Sequence, residues 1–248
     1  MYSSLLVFPI TSMAIVNMDG LHFNNNEDKF SADIDLTLSG ASGNSTASKA
    51  ALNTQLNWIN ENSINLAILG YQYGKNNNVR SVNKSFVHYR YIHKLNDSLD
   101  LEIFTQLETN EFTRLSYRGL FGSGVRFSIA NTNEHRGFLG VGAFYSKEEI
   151  EFTQGLTDDG AEEFARANFY FLSKYKITPE FSFSNVVYYQ PRVNRVSDYR
   201  ALFESKLDIQ INKGTSFRLS IDIEHDSEPS QTIKSTDVSY MTGLAYKF

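Results

Sequence analysis

Between Leu99 and Glu108 the chain alternates without a break. Leu99, Leu101, Ile103, Thr105 and Leu107 stand against Asp100, Glu102, Phe104, Gln106 and Glu108. Successive side chains of a strand point to opposite faces, so this period of two describes an extended segment with one apolar and one mainly polar side. An amphipathic helix repeats its apolar positions every three or four residues and does not fit. The final segment repeats the pattern: Val238, Tyr240, Thr242, Leu244, Tyr246 and Phe248 share one face, and Asp237, Ser239, Met241, Gly243, Ala245 and Lys247 the other.

The alternation returns at near-regular intervals and predicts about twelve strands. Phe30–Leu38, Ala50–Trp58, Ser63–Tyr73, a segment around Val87–Tyr91, and Leu99–Glu108 come first. A sixth ends near Ile129, and Gly137–Tyr145, Ala165–Phe171, Phe181–Tyr189, Phe203–Ile211, Phe217–Glu224 and the final segment follow. Short connections are expected near residues 60, 96, 132, 178 and 213, and long ones near 42, 76, 110, 153, 194 and 230. The long ones include an acidic loop, Lys147–Gly160, and a loop over Gln190–Asp198. The expected fold is all-β: a single antiparallel up-and-down barrel over residues 28–248, preceded by an N-terminal segment, 1–27. That segment holds an apolar run, Leu5–Ile10, and small residues at Ser12–Ala14, but no Lys or Arg precedes Lys29. It reads either as a shortened signal peptide or as a plain lead-in.

Alternation alone does not say which face is inside. A soluble barrel turns its apolar face inward, and a membrane barrel turns it to lipid. No run of roughly 18 apolar residues is present, so no membrane-spanning helix is expected. A mean hydropathy of -0.34 leaves a barrel open, because lumen residues dilute the average. Two features favour the membrane: apolar faces almost free of charge, and aromatics near strand ends at Trp58, Tyr91, Tyr175, Phe181, Phe217 and Phe248. The chain has no Cys, which excludes disulfides, thiolate metal sites and a cysteine nucleophile. A net charge of -5 gives no basic surface for nucleic acid.

The candidate functional residues are the charges of the polar face. They are His88, Arg90, Asp100, Glu102, Glu108, Arg118, Arg126, Arg166, Glu204, Lys206, Asp208, Arg218, Asp222 and Glu224. Neighbouring strands lie about 4.8 Å apart, so these side chains can meet across a small bore. They form either a salt-bridged plug or a charge-lined pore. Gly122, Gly124, Gly140 and Gly142 either leave room for the Arg side chains or mark a bend. None of His22, His88, His93, His135 and His225 has a Ser and an acid at a recognisable triad spacing. Asp158, Asp159, Glu162 and Glu163 could offer oxygens to Ca²⁺, though a charged loop is more often solvated. The sequon at Asn44–Thr46 is a chance match. No cofactor and no resident metal are expected.

The final strand, closing on Phe248, resembles the terminal strand of bacterial outer-membrane barrels, where a C-terminal Phe serves as an assembly signal. Phe112–Arg118, Gly122–Arg126 and Gly137–Tyr145 resemble the central motif of the salt-induced outer membrane proteins (YdiY-like), a domain of unknown function. The resemblance covers residues 28–248. It implies an outer-membrane barrel. The expected partners are outer-membrane lipid, lipopolysaccharide and the barrel-assembly machinery; the oligomeric state is open, with a monomer favoured. It brings no reaction, substrate or catalytic residue. The expected role is non-enzymatic: a structural protein or a narrow passive channel with a charged, side-chain-filled lumen, linked to salt or envelope stress. The alternatives are a lipid- or lipopolysaccharide-modifying enzyme and a soluble β-barrel binding protein.

Overall fold

The computed structural model describes residues 29–42 and 46–247. Twelve strands follow in order: β1 (Lys29–Ala41), β2 (Ala47–Ile59), β3 (Ser63–Asn76), β4 (Val79–Lys94), β5 (Leu99–Asn110), β6 (Leu115–Asn131), β7 (His135–Ile150), β8 (Gly160–Lys176), β9 (Phe181–Arg192), β10 (Arg195–Gln210), β11 (Thr215–Asp226) and β12 (Thr236–Lys247). Each pairs antiparallel with its sequence neighbours, and β12 pairs with β1 to close the barrel. One turn of 3₁₀ helix, Glu111–Thr113, interrupts the β5–β6 connection. The signal-like segment, Asn44 of the sequon and the terminal Phe248 lie outside the described residues.

The strands turn their apolar faces outward. On β5, Asp100, Glu102, Phe104, Gln106 and Glu108 are all buried, while Leu101, Ile103 and Leu107 are exposed. Phe121 is 63% exposed and Arg126, on the same strand, 2%. A soluble protein rarely exposes more than a few hundred Å² of contiguous apolar surface. Here exposed apolar side chains ring the whole wall, from Leu52 and Leu69 through Val141 and Phe169 to Ile221 and Leu244. Only a hydrocarbon solvent makes that arrangement favourable. Closure removes the open sheet edge that lipid cannot tolerate.

The five connections expected to be short all fall at one end, at residues 60–62, 95–98, 132–134, 177–180 and 211–214. The other end does not match the sequence expectation throughout. The connections at 151–159 and 227–235 are long. Those expected to be long near 76 and 194 are two-residue turns, Asn77–Asn78 and Val193–Asn194. The reason is local. Asn77 and Asn78 take φ 48° and 63°, the left-handed pair that a type I′ hairpin requires and that Asn tolerates. Loop-like composition was therefore a tight turn. The charged stretches read as loops, Lys147–Ile150 and Gln190–Arg192, are strand. A membrane strand needs about 9–11 residues. Strands such as β6 and β8, of 17 residues each, are longer than the bilayer requires.

The closing seam is the weakest. β1 and β2 share thirteen register pairs, Lys29↔Ile59 to Ala41↔Ala47. Among the described residues β1 and β12 share four, Asp33↔Lys247 to Leu36↔Leu244.

Candidate functional site

The bore is filled in two different ways. From β3 and β4 come Ile64, Leu66, Ile68, Phe86 and Ile92; from β7 to β10 come Phe138, Tyr170, Leu172, Val186, Tyr188 and Leu202. These two groups sit on sheet positions that are not neighbours, yet they form one buried cluster, so opposite walls touch through it. Ile64, Leu66, Ile92 and Val186 are completely buried. This is an apolar plug inside a barrel whose exterior is also apolar.

Inward glycines make room for it. A Cβ on Gly140 would overlap the Tyr170 ring, and one on Gly70 the Phe86 ring. A Cβ on Gly122 would meet Phe104 Cζ at 2.6 Å. The inward glycines Gly122 and Gly140 therefore accommodate aromatic rings, not the Arg side chains the sequence suggested. Gly124 and Gly142 instead let the β6 and β7 backbones approach, since a Cβ on Gly124 would lie 2.7 Å from Val141 O.

A ladder of ion pairs runs along the bore on β4 to β7. Arg126 donates to Asp100 at 2.6 and 2.9 Å, nearest the short-turn end. Arg90 donates to Glu102 at 3.0 Å, and the Tyr170 hydroxyl donates to the other Glu102 oxygen at 2.8 Å. The Arg90 guanidinium also lies 4.7 Å over the Phe104 ring, and that of Arg126 4.3 Å over Phe138. His88 Nδ1 meets Gln106 Oε1 at 3.1 Å, and Gln106 donates to Glu108 at 3.1 Å. Arg118 joins Glu108 at 3.2 Å to Glu148 at 2.8 Å. Glu148 then accepts from Arg200 at 2.6 and 2.9 Å, which carries the network across to β10, and Arg200 reaches Asp226 of β11 at 2.8 Å.

Two further clusters flank the ladder. Near the loop end, Arg166 donates to Asp198 at 2.6 Å, and Arg195 to the other Asp198 oxygen at 3.0 Å. Near the short-turn end, Arg218 joins Asp208 at 2.6 Å to Asp35 at 3.1 Å. Lys206 and Glu204 meet at 2.8 Å. Asp222 and Glu224 are buried on β11. Sequence reasoning missed Lys84, Glu148, Asp198, Arg200 and Asp226. Carrying the inward parity of β7 and β10 through the charged stretches would have found Glu148, Asp198 and Arg200.

Three of the four loop acids, Asp158, Glu162 and Glu163, are already matched to cations. Asp158 accepts from Arg114 at 2.6 Å and from the Gln231 backbone N–H at 2.6 Å, so it ties the 151–159 and 227–235 connections together. Burial opposes its ionisation, but these two donors outweigh it and hold its carboxyl below the ordinary 3.8. Glu162 pairs with Arg192, and Glu163 with Lys147. No group of three or more possible ligands that could hold a metal occurs among the described residues. Among the described histidines, His135 meets a serine, Ser173, at 3.1 Å, and its ring stacks on Tyr175. No carboxylate completes that pair among its described contacts.

A closed antiparallel barrel of twelve strands, apolar outside and polar or plugged within, defines a porin-like β-barrel of outer-membrane type. Solved structures agree on the fold. The NanC porin superposes with a TM-score of 0.53 at 13% identity, over 88% of this chain and 100% of that one. The COG4313 outer membrane channel from Pseudomonas putida F1 gives 0.53 at 10%, over 94% and 99%. The translocator domain of autotransporter NalP from Neisseria meningitidis gives 0.53 at 12%, over 93% and 91%. Residues 34–248 match the family described as "Protein of unknown function, DUF481", and the chain belongs to it. No curated protein matches the sequence.

Proposed function

We propose that this protein is a non-enzymatic outer-membrane barrel whose bore is a narrow passive path for small ions, closed to organic solutes. The apolar cluster that joins β3–β4 to β7–β10 carries this reading, because it seals that sector of the bore wall to wall. Beside it lie a cavity of about 270 Å³ at the loop end and one of about 70 Å³ deeper in. The smaller has room for only a few waters. Its lining is charged or polar at Asp33, Asp35, Gln55 and Arg218, which suits hydrated ions. The fold of the similar channels supports a passive role, and no Ser–His–acid arrangement on the described residues supports catalysis. In this reading the short-turn end faces the periplasm and the loop end the cell exterior, as in barrels with short periplasmic turns. The link to salt stress belongs to the same reading.

Reconstitution tests it. Purified protein in planar bilayers is expected to pass small KCl currents, while vesicles carrying it do not swell in sugar solutions. Currents absent at every salt concentration, or ready entry of disaccharides, would overturn it. Cell fractionation tests the location: recovery in the soluble fraction rules out the membrane.

A further inference from the structure

The two cavities are separated by a single layer of charge. Glu224 and Asp237 line the outer cavity, and Asp222, two residues from Glu224 on β11, lines the inner one. Alternate residues of a strand lie about 7 Å apart on one face, so the floor of one cavity is about one rung from the roof of the other. β12 supplies the facing residues: Asp222 is opposite Ser239, and Glu224 opposite Asp237. β10 supplies Glu204 opposite Asp222. Lys84 of β4 is buried on the inward face, within reach of the charges of Glu224, Glu108, Asp222 and Asp237.

Two oxygens there have no partner. Asp222 is 4% exposed and Glu224 8%, yet Asp222 Oδ1 and Glu224 Oε2 make no hydrogen bond. The other Asp222 oxygen accepts a long bond from Ser239, at 3.4 Å, and the Asp222 carboxyl also meets that of Glu204 across the β10–β11 pair. A buried carboxylate oxygen left unpaired costs free energy, so unpaired oxygens beside two cavities point to an occupant drawn from them. In the ionised form they offer negatively charged oxygen and no donor, which favours cations. Towards the short-turn end the inner cavity continues with Asp33 and Asp35, both paired with Arg218 Nη1.

We infer that the inward face of β11 is a cation path, with Glu224 and Asp222 as successive oxygen sites for a hydrated monovalent cation. Lys84 acts as a tethered competing cation at the constriction between them. This deepens the passive path proposed above and rests on it. The apolar plug keeps ions on this sector, and the backbone hydrogen bonds of β10–β11 and β11–β12 fix the oxygens in register.

The test is bilayer recording in a tenfold KCl gradient. Wild-type protein is expected to give a reversal potential of cation-selective sign. Lys84→Met should raise cation conductance about tenfold or more, since it removes a like charge held close in a buried site. Lys84→Arg should keep the wild-type conductance. The double variant Asp222→Asn/Glu224→Gln should carry K⁺ and Cl⁻ about equally. Each variant is first shown to fold by heat-modifiable mobility on gels. An anion-selective wild type, or Lys84→Met and the double variant both unchanged in selectivity and conductance, overturns the cation path. No current from wild type and from Lys84→Met alike overturns the passive path itself. Should Lys84→Met fail to fold, the double variant decides alone: unchanged selectivity refutes the inference.

Discussion

The ion pair of Arg90 and Glu102 gives the sharpest measure of what kind of interior this barrel has. Both side chains are 2% exposed and meet at 3.0 Å. Replacing Arg90 with Met removes the cation and keeps most of the aliphatic volume over Phe104. Glu102 then keeps the Tyr170 hydroxyl at 2.8 Å and a distant Arg126 at 3.9 Å. Breaking a buried pair on one side typically costs about 3–5 kcal/mol, because the remaining charge has lost its partner in a poor solvent. Removing the whole set is different. Arg90→Met/Glu102→Leu/Tyr170→Phe takes out both charges and the hydroxyl that would be orphaned, and should return to within about 1–2 kcal/mol of wild type. The assay is urea unfolding of the refolded barrel in lipid vesicles, followed by fluorescence of Trp58, the one Trp of the chain. A single-variant loss below about 1 kcal/mol would match an exposed pair. It would mean that water reaches Glu102 and that the bore is wet rather than filled, which refutes the plug. A triple variant no better than the single one would refute the electrostatic reasoning and leave packing as the cause.

Other outcomes follow from the same geometry. Gly140→Ala should cost about 1–3 kcal/mol in the same assay, because the new methyl overlaps the Tyr170 ring; an unchanged midpoint would show that the ring swings clear. Leu36 and Leu244 are opposed in the last rung of the short seam, so Leu36→Cys/Leu244→Cys should cross-link under oxidant. With no native Cys to interfere, the bond should add about 3–5 kcal/mol, lost again on reduction, and failure to cross-link in the folded protein would disprove the register. Asp158 has a folded-state pKa below its unfolded 3.8, so its contribution is complete above that value and is lost as pH falls through the lower one. Hydrogen exchange at the Gln231 N–H should therefore stay slow at pH 5 and speed up only below 3.8; Asp158→Asn should make it fast at pH 5 too.

The barrel was legible because its apolar face is nearly free of charge over strand after strand. Its sidedness was less so, since a period of two is symmetric and the tie was broken only by the charge-free apolar faces and the aromatic placement. Trp58, Tyr175 and Phe181 do stand exposed beside the short turns. The strand extensions were hidden by composition. Beyond the bilayer a strand no longer needs an apolar face, so Lys147–Ile150 and Gln190–Arg192 look like loop while their backbones still pair. That masked Glu148 and Asp198. The plug was hidden for another reason. Ile64, Leu66 and Ile68 occupy the face that is polar on other strands, and the outward Leu69 makes β3 apolar on both sides. Such a strand signals burial against an opposite wall, which only the closed topology identifies.

A barrel in lipid gains little from burying apolar groups, since its outer face is already in hydrocarbon. Its interior must be argued from satisfaction instead: each polar group needs a partner, water, or removal. On β4 all the solutions occur within a few residues. Phe86 and Ile92 enter the plug, Arg90 and His88 enter the ladder, and Lys84 is buried within reach of the β11 carboxyls. The ladder and plug together cover β3 to β10, and there nearly every described inward charge has a partner at hydrogen-bond distance. The described unpaired carboxylate oxygens are instead on β11, beside the small inward residues of β12 and the four-rung seam. A sector with short pairing, small side chains and unsatisfied oxygens is the one with room for water. That is why the path is assigned to it rather than to the arginine-rich wall, whose charges are already spent on one another.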